Sequence, residues 1–209
     1  MEQRVICGYQ PAAIGSNPSR WPRDATIRYR LALPGLPGVS RDALRTVFRA
    51  ACDWWEAECG LWFDEVDSKE NFVITSMTQQ PGGVLADCTL PYQFPVRMRL
   101  DASEPWAIGS PIPNNRVGLL PVLAHEIGHG LGLDHGGDSL MRPVYDPRMV
   151  IGPWERQLVR EAYGPPRPRQ PQAPPPTAEE IKLAEWVLRN GNLVLRVAES
   201  VQVERIKAQ

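Results

Sequence analysis

Residues 122–136, VLAHEIGHGLGLDHG, hold all three histidines of the 209-residue chain. His125 and His129 stand four apart, so on a helix both imidazoles leave the same face and reach one ion. A helix continuing past them would carry His135 about 15 Å beyond His125, out of reach of that ion. Gly132 resolves this: glycine takes positive φ without penalty, ends the helix and turns the chain back toward the first two ligands. Three neutral nitrogens leave one position open on a tetrahedral zinc, the arrangement of a catalytic site and not of a structural one, which four protein ligands rich in cysteine usually close. Glu126 follows the first ligand but leaves the helix in another direction, where it can bind the water on the metal. Zinc lowers that water's pKa and polarises a carbonyl; the glutamate takes the proton and later passes it to the leaving amine. A purely structural zinc would leave Glu126 without a use.

Composition sets the outer bounds. A chain of this length, 43% hydrophobic, builds one domain with a real core. Its 23 Lys and Arg nearly balance 24 Asp and Glu, so no global field draws it to nucleic acid or an anionic membrane. No apolar run approaches the roughly 20 residues of a membrane span. The start, MEQRVICGYQ, lacks the apolar core of a secretory signal, so the expectation is a cytoplasmic chain or one exported without a standard signal. Of the four cysteines, Cys7, Cys52, Cys59 and Cys88, the middle two would lie about 10.5 Å apart along one helix, too far for a disulfide. All four read as reduced core residues, which suits a cytoplasmic setting.

Proline divides the chain. Residues 165–176 form a semi-rigid, polyproline-like linker with no apolar side chains to bury. Before it, ATIRYRLAL alternates as a strand. Residues 40–60 read as a helix with Ser40 as N-cap, an apolar stripe from Leu44 to Trp55, and Gly60 as its stop. LWFDEV, NFVITSM, GGVLADC and VRMRLDAS are further strands; a second helix, roughly 114–131, carries the histidines, and a third covers 153–164. Strand, helix, several strands and then the metal helix make an α+β fold on one mixed sheet. The tail, 177–209, opens with Thr177 and Glu180 as a capping box. It suggests an amphipathic helix over 178–189, then a stretch ambiguous between strand and helix. Too short to bury an apolar face alone, it is expected to pack on the preceding domain, on a protein partner or on a second copy.

The pattern His-Glu-x-x-His-x-x-Gly-x-x-His resembles the metzincin zinc signature, and SLMRPVY (139–145) resembles the Met-turn that follows it. The short step from His135 to Met141, with Pro143 and Tyr145 after it, is similar to the matrixins, the matrix metalloproteinase family. The resemblance runs over about residues 20–164. It implies a zincin-like catalytic domain with a mixed twisted sheet, two long helices and a closing C-terminal helix, preceded by an extension over 1–19. It implies zinc ligands His125, His129 and His135, Glu126 as general base, and Met141 as an apolar floor beneath the metal. Pro143 and Tyr145 would wall the pocket for the side chain after the scissile bond. Val84, Leu85 and Ala86 would pair with an extended protein or peptide substrate by strand addition.

Three departures from the family stand out. Relatives hold a second, structural zinc with further histidines, which this chain lacks; Asp87 and Cys88 occupy that neighbourhood, so one zinc is expected. Asp101 and Glu104 keep the spacing of a calcium pair, but the loop supplying other ligands is shortened to something like TSMTQQPGG, and a solvated pair of carboxylates is the expectation, with calcium the alternative. Cys7-Gly8 resembles the propeptide cysteine that keeps secreted matrixins latent by occupying the open zinc position. The arginine and aspartate of that pattern are missing, so Cys7 reads as a reduced cysteine in a flexible terminus, with zinc ligation the alternative.

The leading reading is a zinc-dependent endopeptidase of one catalytic zinc. The competing one is a non-proteolytic binding or assembly protein on a metzincin scaffold, its tail docking a partner; the intact Glu126 argues against it. A thermolysin-like site would need a downstream glutamate as third ligand and leaves Gly132 and His135 unexplained.

Overall fold

A computed structural model describes residues 5–7, 21–79, 83–91 and 93–169, and the backbone of 184–189 and 192–197. The chain divides into two units, Met1–Pro168 and Arg169–Gln209. In the first, the order is β1 (Thr26–Leu31), β2 (Gly35–Leu36), β3 (Val39–Ser40), α1 (Arg41–Glu56), β4 (Trp62–Glu65), β5 (Phe72–Met77), β6 (Ala86–Cys88), β7 (Val96–Asp101), β8 (Trp106–Ala107), β9 (Val117–Gly118), α2 (Leu119–Gly130) and α3 (Pro153–Tyr163). Five strands form one sheet in the order β4-β1-β5-β7-β6. Neighbours run parallel except at β6, which pairs antiparallel with β7 and forms the edge. The expected mixed sheet is therefore present.

Helix α1 starts where Ser40 accepts a hydrogen bond from the Ala43 amide at 3.2 Å, the ordinary N-cap device. Its buried stripe, Leu44, Phe48, Ala51, Cys52 and Trp55, packs in the same core as Ile27, Tyr29 and Leu31 of β1. The helix stops at Glu56 with Ala57 as its cap, four residues before the glycine expected to end it. The Glu56 carboxylate accepts from the Phe63 amide at 2.8 Å and from Arg49, and so ties the reversal into β4.

Helix α2 is buried almost throughout, as its apolar sequence demands. It begins at Leu119 and not near residue 114, because Val117 and Gly118 are taken up by parallel pairing with Trp106 and Ala107. Trp55 of α1 donates its indole N–H to the Ala124 carbonyl at 2.9 Å, locking the two long helices together. The end of α2 leaves carbonyls without helical partners. Trp21 donates to that of Gly130 at 2.8 Å, and the Tyr163 hydroxyl of α3 donates to that of Leu131. The closing helix thus braces the end of the helix that carries the histidines.

In the second unit, β10 (Ala184–Arg189) and β11 (Asn192–Val197) pair antiparallel, with Trp186 opposite Leu195 and Leu188 opposite Leu193. This corrects the helix expected up to residue 189: AEWVLR and NLVLRV, set either side of Asn190-Gly191, follow the period of two and the hairpin spacing instead. Residues 178–183 of that expected helix, and the linker from 170 onward, lie outside the described residues.

Candidate metal centre

The turn after α2 is built as the glycine implied. Gly132 has φ +90°. Its amide donates to the His129 carbonyl at 2.8 Å and the Leu133 amide to the Gly128 carbonyl at 3.0 Å, the paired bonds of a Schellman cap. The chain doubles back and returns His135 to the first two histidines. Nε2 of His129 lies 3.1 Å from Nε2 of His125 and 3.3 Å from Nε2 of His135.

Backbone carbonyls set the tautomers. Nδ1 of His125 is 2.7 Å from the Leu140 carbonyl and Nδ1 of His129 is 2.8 Å from the Leu133 carbonyl. A carbonyl can only accept, so the proton is on Nδ1 and each Nε2 carries a bare lone pair. Burial depresses both pKa values, that of His125 to about 3 and that of His129 well below the ordinary range; burial also lowers His135. All three are neutral near pH 7, as ligation requires. Bare lone pairs this close repel one another unless a cation lies between them. Nitrogens on a tetrahedral zinc, each about 2.0–2.1 Å from the ion, are themselves about 3.3 Å apart. The donor set fits zinc.

Glu126 is fully buried, and its Oε1 has no hydrogen-bond partner among the described residues. Burial pushes its carboxyl pKa well up, with Asp87 adding to the shift. Met141 is also fully buried; its Sδ lies 2.4 Å from where a Cβ on Gly128 would stand, so only glycine lets it pack under this part of the helix.

The largest departure from expectation is at the N-terminus. Cys7 is buried and reduced, as expected of all four cysteines, and so not in the flexible terminus also expected of it; its Sγ and the histidine nitrogens all lie within 4.8 Å of one another. The thiol also donates weakly to Glu126 Oε2, at 3.7 Å. Backbone pairing is the cause: the Ile6 amide donates to the Pro143 carbonyl and the Ala86 amide donates to the Ile6 carbonyl, both at 3.1 Å. Val5 bridges antiparallel to Val144, and Cys7 parallel to Ala86. Residues 5–7 therefore run extended between the edge strand and the segment after the turn, with the Ile6 side chain wholly buried. Nothing in the local sequence distinguishes Ile6, and the reading of the sequence missed it.

Of the other expected site residues, Leu85 and Ala86 are buried, Val84 is half-buried and Pro143 is exposed. The Tyr145 hydroxyl accepts from the Gly118 amide at 2.7 Å, tying that segment to the start of α2. Gly118 also lines a cavity of about 410 Å³, with Leu119–Pro121 and Pro147–Val150 as further walls. Asp101 and Glu104 correct a second expectation: they are 0% and 1% exposed and not solvated. Asp101 Oδ1 accepts from the Gln79 and Ser103 amides, whereas its Oδ2 has no hydrogen-bond partner among the described residues. On β6, Asp87 forms a two-pronged ion pair with Arg99 and Cys88 is buried. The reading of the sequence also missed Glu155, a buried carboxylate on α3 bonded to Ser139 and to the Met141 and Gly152 amides. The pattern Gly-Pro-x-Glu, with the glutamate three residues past the cap, was the available signal.

A mixed sheet with an antiparallel edge, two long helices and a braced His-Glu-x-x-His turn make a metzincin-like α+β domain. The matrixin family profile matches residues 20–152. Matrix metalloproteinase-25 of Mus musculus is 32% identical over 148 residues, covering 60% of this chain and 24% of the relative. Stromelysin-3 of Xenopus laevis is 31% identical over 152 residues, covering 66% and 31%. A probable matrix metalloproteinase, 095L of Invertebrate iridescent virus 3, is 40% identical over 88 residues, covering 40% and 24%. This chain belongs to the matrixin family, and it spans about a quarter to a third of the length of these relatives.

Proposed function

We propose that the chain is a zinc-dependent endopeptidase held latent by its own residues 5–7. The observation that carries this is the convergence of three neutral imidazoles beside a buried glutamate. His125, His129 and His135 would hold the metal through Nε2. When bound there, zinc supplies Lewis-acid polarisation of the carbonyl and a lowered pKa for the attacking water. Glu126 would take the proton from that water and deliver it to the leaving amine nitrogen. Ala86 and Pro143 now bond the Ile6 backbone, and they would offer the same amide and carbonyl to an extended protein or peptide substrate.

Latency follows from occupancy. While Ile6 holds both backbone partners and the Cys7 thiol lies at the histidines, a substrate has neither the groove nor the open metal position. The thiol would serve as the fourth donor, and its release would open the site. Asp101 and Glu104 are each buried, and a calcium ion would give Asp101 Oδ2 the partner it lacks among the described residues.

The test is incubation of the purified full chain with a peptide library, with and without a chelator, before and after modification of Cys7 by an organomercurial. Hydrolysis that needs zinc and grows on modification is expected. No hydrolysis under any of these conditions would favour the competing reading, a non-proteolytic binding or assembly protein on a metzincin scaffold with its tail docking a partner.

A further inference from the structure

Glu155 touches none of the histidines, yet it is 0% exposed. Its Oε1 accepts from the Ser139 hydroxyl at 2.7 Å and from the Met141 amide at 2.9 Å, and its Oε2 accepts from the Gly152 amide at 2.9 Å. Ser139 and Met141 flank Leu140, whose carbonyl receives Nδ1–H of His125 at 2.7 Å. On the other side, the Met141 carbonyl receives the Gly136 amide at 3.1 Å, one residue beyond His135. One carboxylate therefore holds the residues on both sides of Leu140, Ser139 by its hydroxyl and Met141 by its amide, and that stretch of backbone is bonded toward two of the three histidines.

The chemistry of the grip requires a carboxylate. A hydroxyl and two amides converge on it, all donors, and only an acceptor with two oxygens satisfies them together. Glu155 stands three residues into α3 behind Pro153, where the helix dipole favours negative charge. An amide in its place would turn an N–H₂ toward one of those donors.

We propose that Glu155 is a positioning residue for the metal site, holding the Leu140 carbonyl and the Met141 peptide so that His125 and His135 aim their lone pairs at one ion. The proposal rests on the reading of His125, His129 and His135 as the metal-holding set. Groups that orient a ligating histidine typically matter 10–100-fold in metal affinity, and Glu155 acts one step further out, through the carbonyl that does the orienting.

The test uses the full chain as wild type, Glu155→Gln, Ser139→Ala and, as a control, Glu161→Gln, an exposed glutamate on the same helix. Zinc affinity is measured by competition with a chelator, and the geometry of the site by the visible spectrum of the cobalt-substituted protein. Glu155→Gln is expected to weaken zinc binding about tenfold or more and to change the cobalt band intensities. Ser139→Ala leaves the Met141 and Gly152 bonds in place and is expected to show the same changes in smaller measure. Glu161→Gln is expected to match wild type in both. Wild-type affinity and spectrum in both Glu155→Gln and Ser139→Ala would overturn the proposal. Should Glu155→Gln fail to fold, Ser139→Ala decides: a loss relative to Glu161→Gln supports it, and equality overturns it. A wild-type chain that binds no zinc would overturn the metallopeptidase reading itself, an outcome visible before any variant is made.

Discussion

The turn that carries the histidines and the segment that carries Cys7 meet at the same point, but they are held there very differently. The turn is fastened from within and from outside: a Schellman cap, two Nδ1–H bonds to carbonyls, the indole of Trp21, the hydroxyl of Tyr163 and the buried carboxylate of Glu155. Residues 5–7 have two backbone bonds, made at two isolated bridges, and two buried side chains, Ile6 and Cys7, with Val5 half in solvent. Local opening in proteins is drawn from elements with few buried contacts. On the proposed reading the ligand set is a permanent part of the fold and its occupant a removable one, and variants can break either half of that statement.

The largest effect is expected on the permanent side. Glu126→Ala should lower the kcat/KM of the activated enzyme by about 10²–10⁴-fold, the usual weight of a general acid–base group. Zinc should remain at one per chain by metal analysis; full activity in this variant would sink the assignment. Next comes the removable side. Cys7→Ser should raise the activity of the untreated chain at least about tenfold, the factor produced by ~1.4 kcal/mol of preference for the closed state. Unchanged activity on a fluorogenic peptide would show that the thiol does not restrain the site.

A smaller gain should come from Ile6→Asp, which places a charge at a position now 0% exposed and expels the segment by desolvation cost. Val5→Asp, at a position 49% exposed, should do much less. The rate at which a soluble disulfide reagent labels Cys7 reads both, and equal rates in the two variants would contradict the proposed anchoring by Ile6. The smallest effect is reserved for the sheet edge. Arg99→Ala breaks the ion pair with Asp87, but the arginine side chain is 54% exposed, so thermal unfolding should report a loss below about 1 kcal/mol. A larger loss would mean that this pair carries the edge strand in place of a metal.

How much of this was legible in the sequence depends on distance along the chain. His125, Glu126, His129, Gly132 and His135 fall within eleven residues, and helix geometry plus one glycine dictates where they meet. The sheet and the three helices followed from periodicity and caps, with errors where tertiary partners intervened. Pairing with β8 delayed the start of α2, and hairpin pairing replaced a helix in the tail. Cys7 and Asp101 were misjudged for one shared reason. Their burial depends on segments far away in sequence, Ala86 and Pro143 for the first and Gln79 for the second, and no local pattern records such an encounter. Glu155 was only half hidden: Gly-Pro-x-Glu marks its bond to the Gly152 amide, but its partner Ser139 lies sixteen residues earlier, across the loop before α3.

Zinc K-edge absorption of the full chain, taken before any activating treatment, tests the account most directly. It predicts one zinc per chain with three nitrogen neighbours and one sulfur at about 2.3 Å, the sulfur giving way to oxygen in Cys7→Ser. A first shell with three nitrogens and no sulfur would contradict the latency of the site, and a shell without the three nitrogens would contradict the assignment of the site itself.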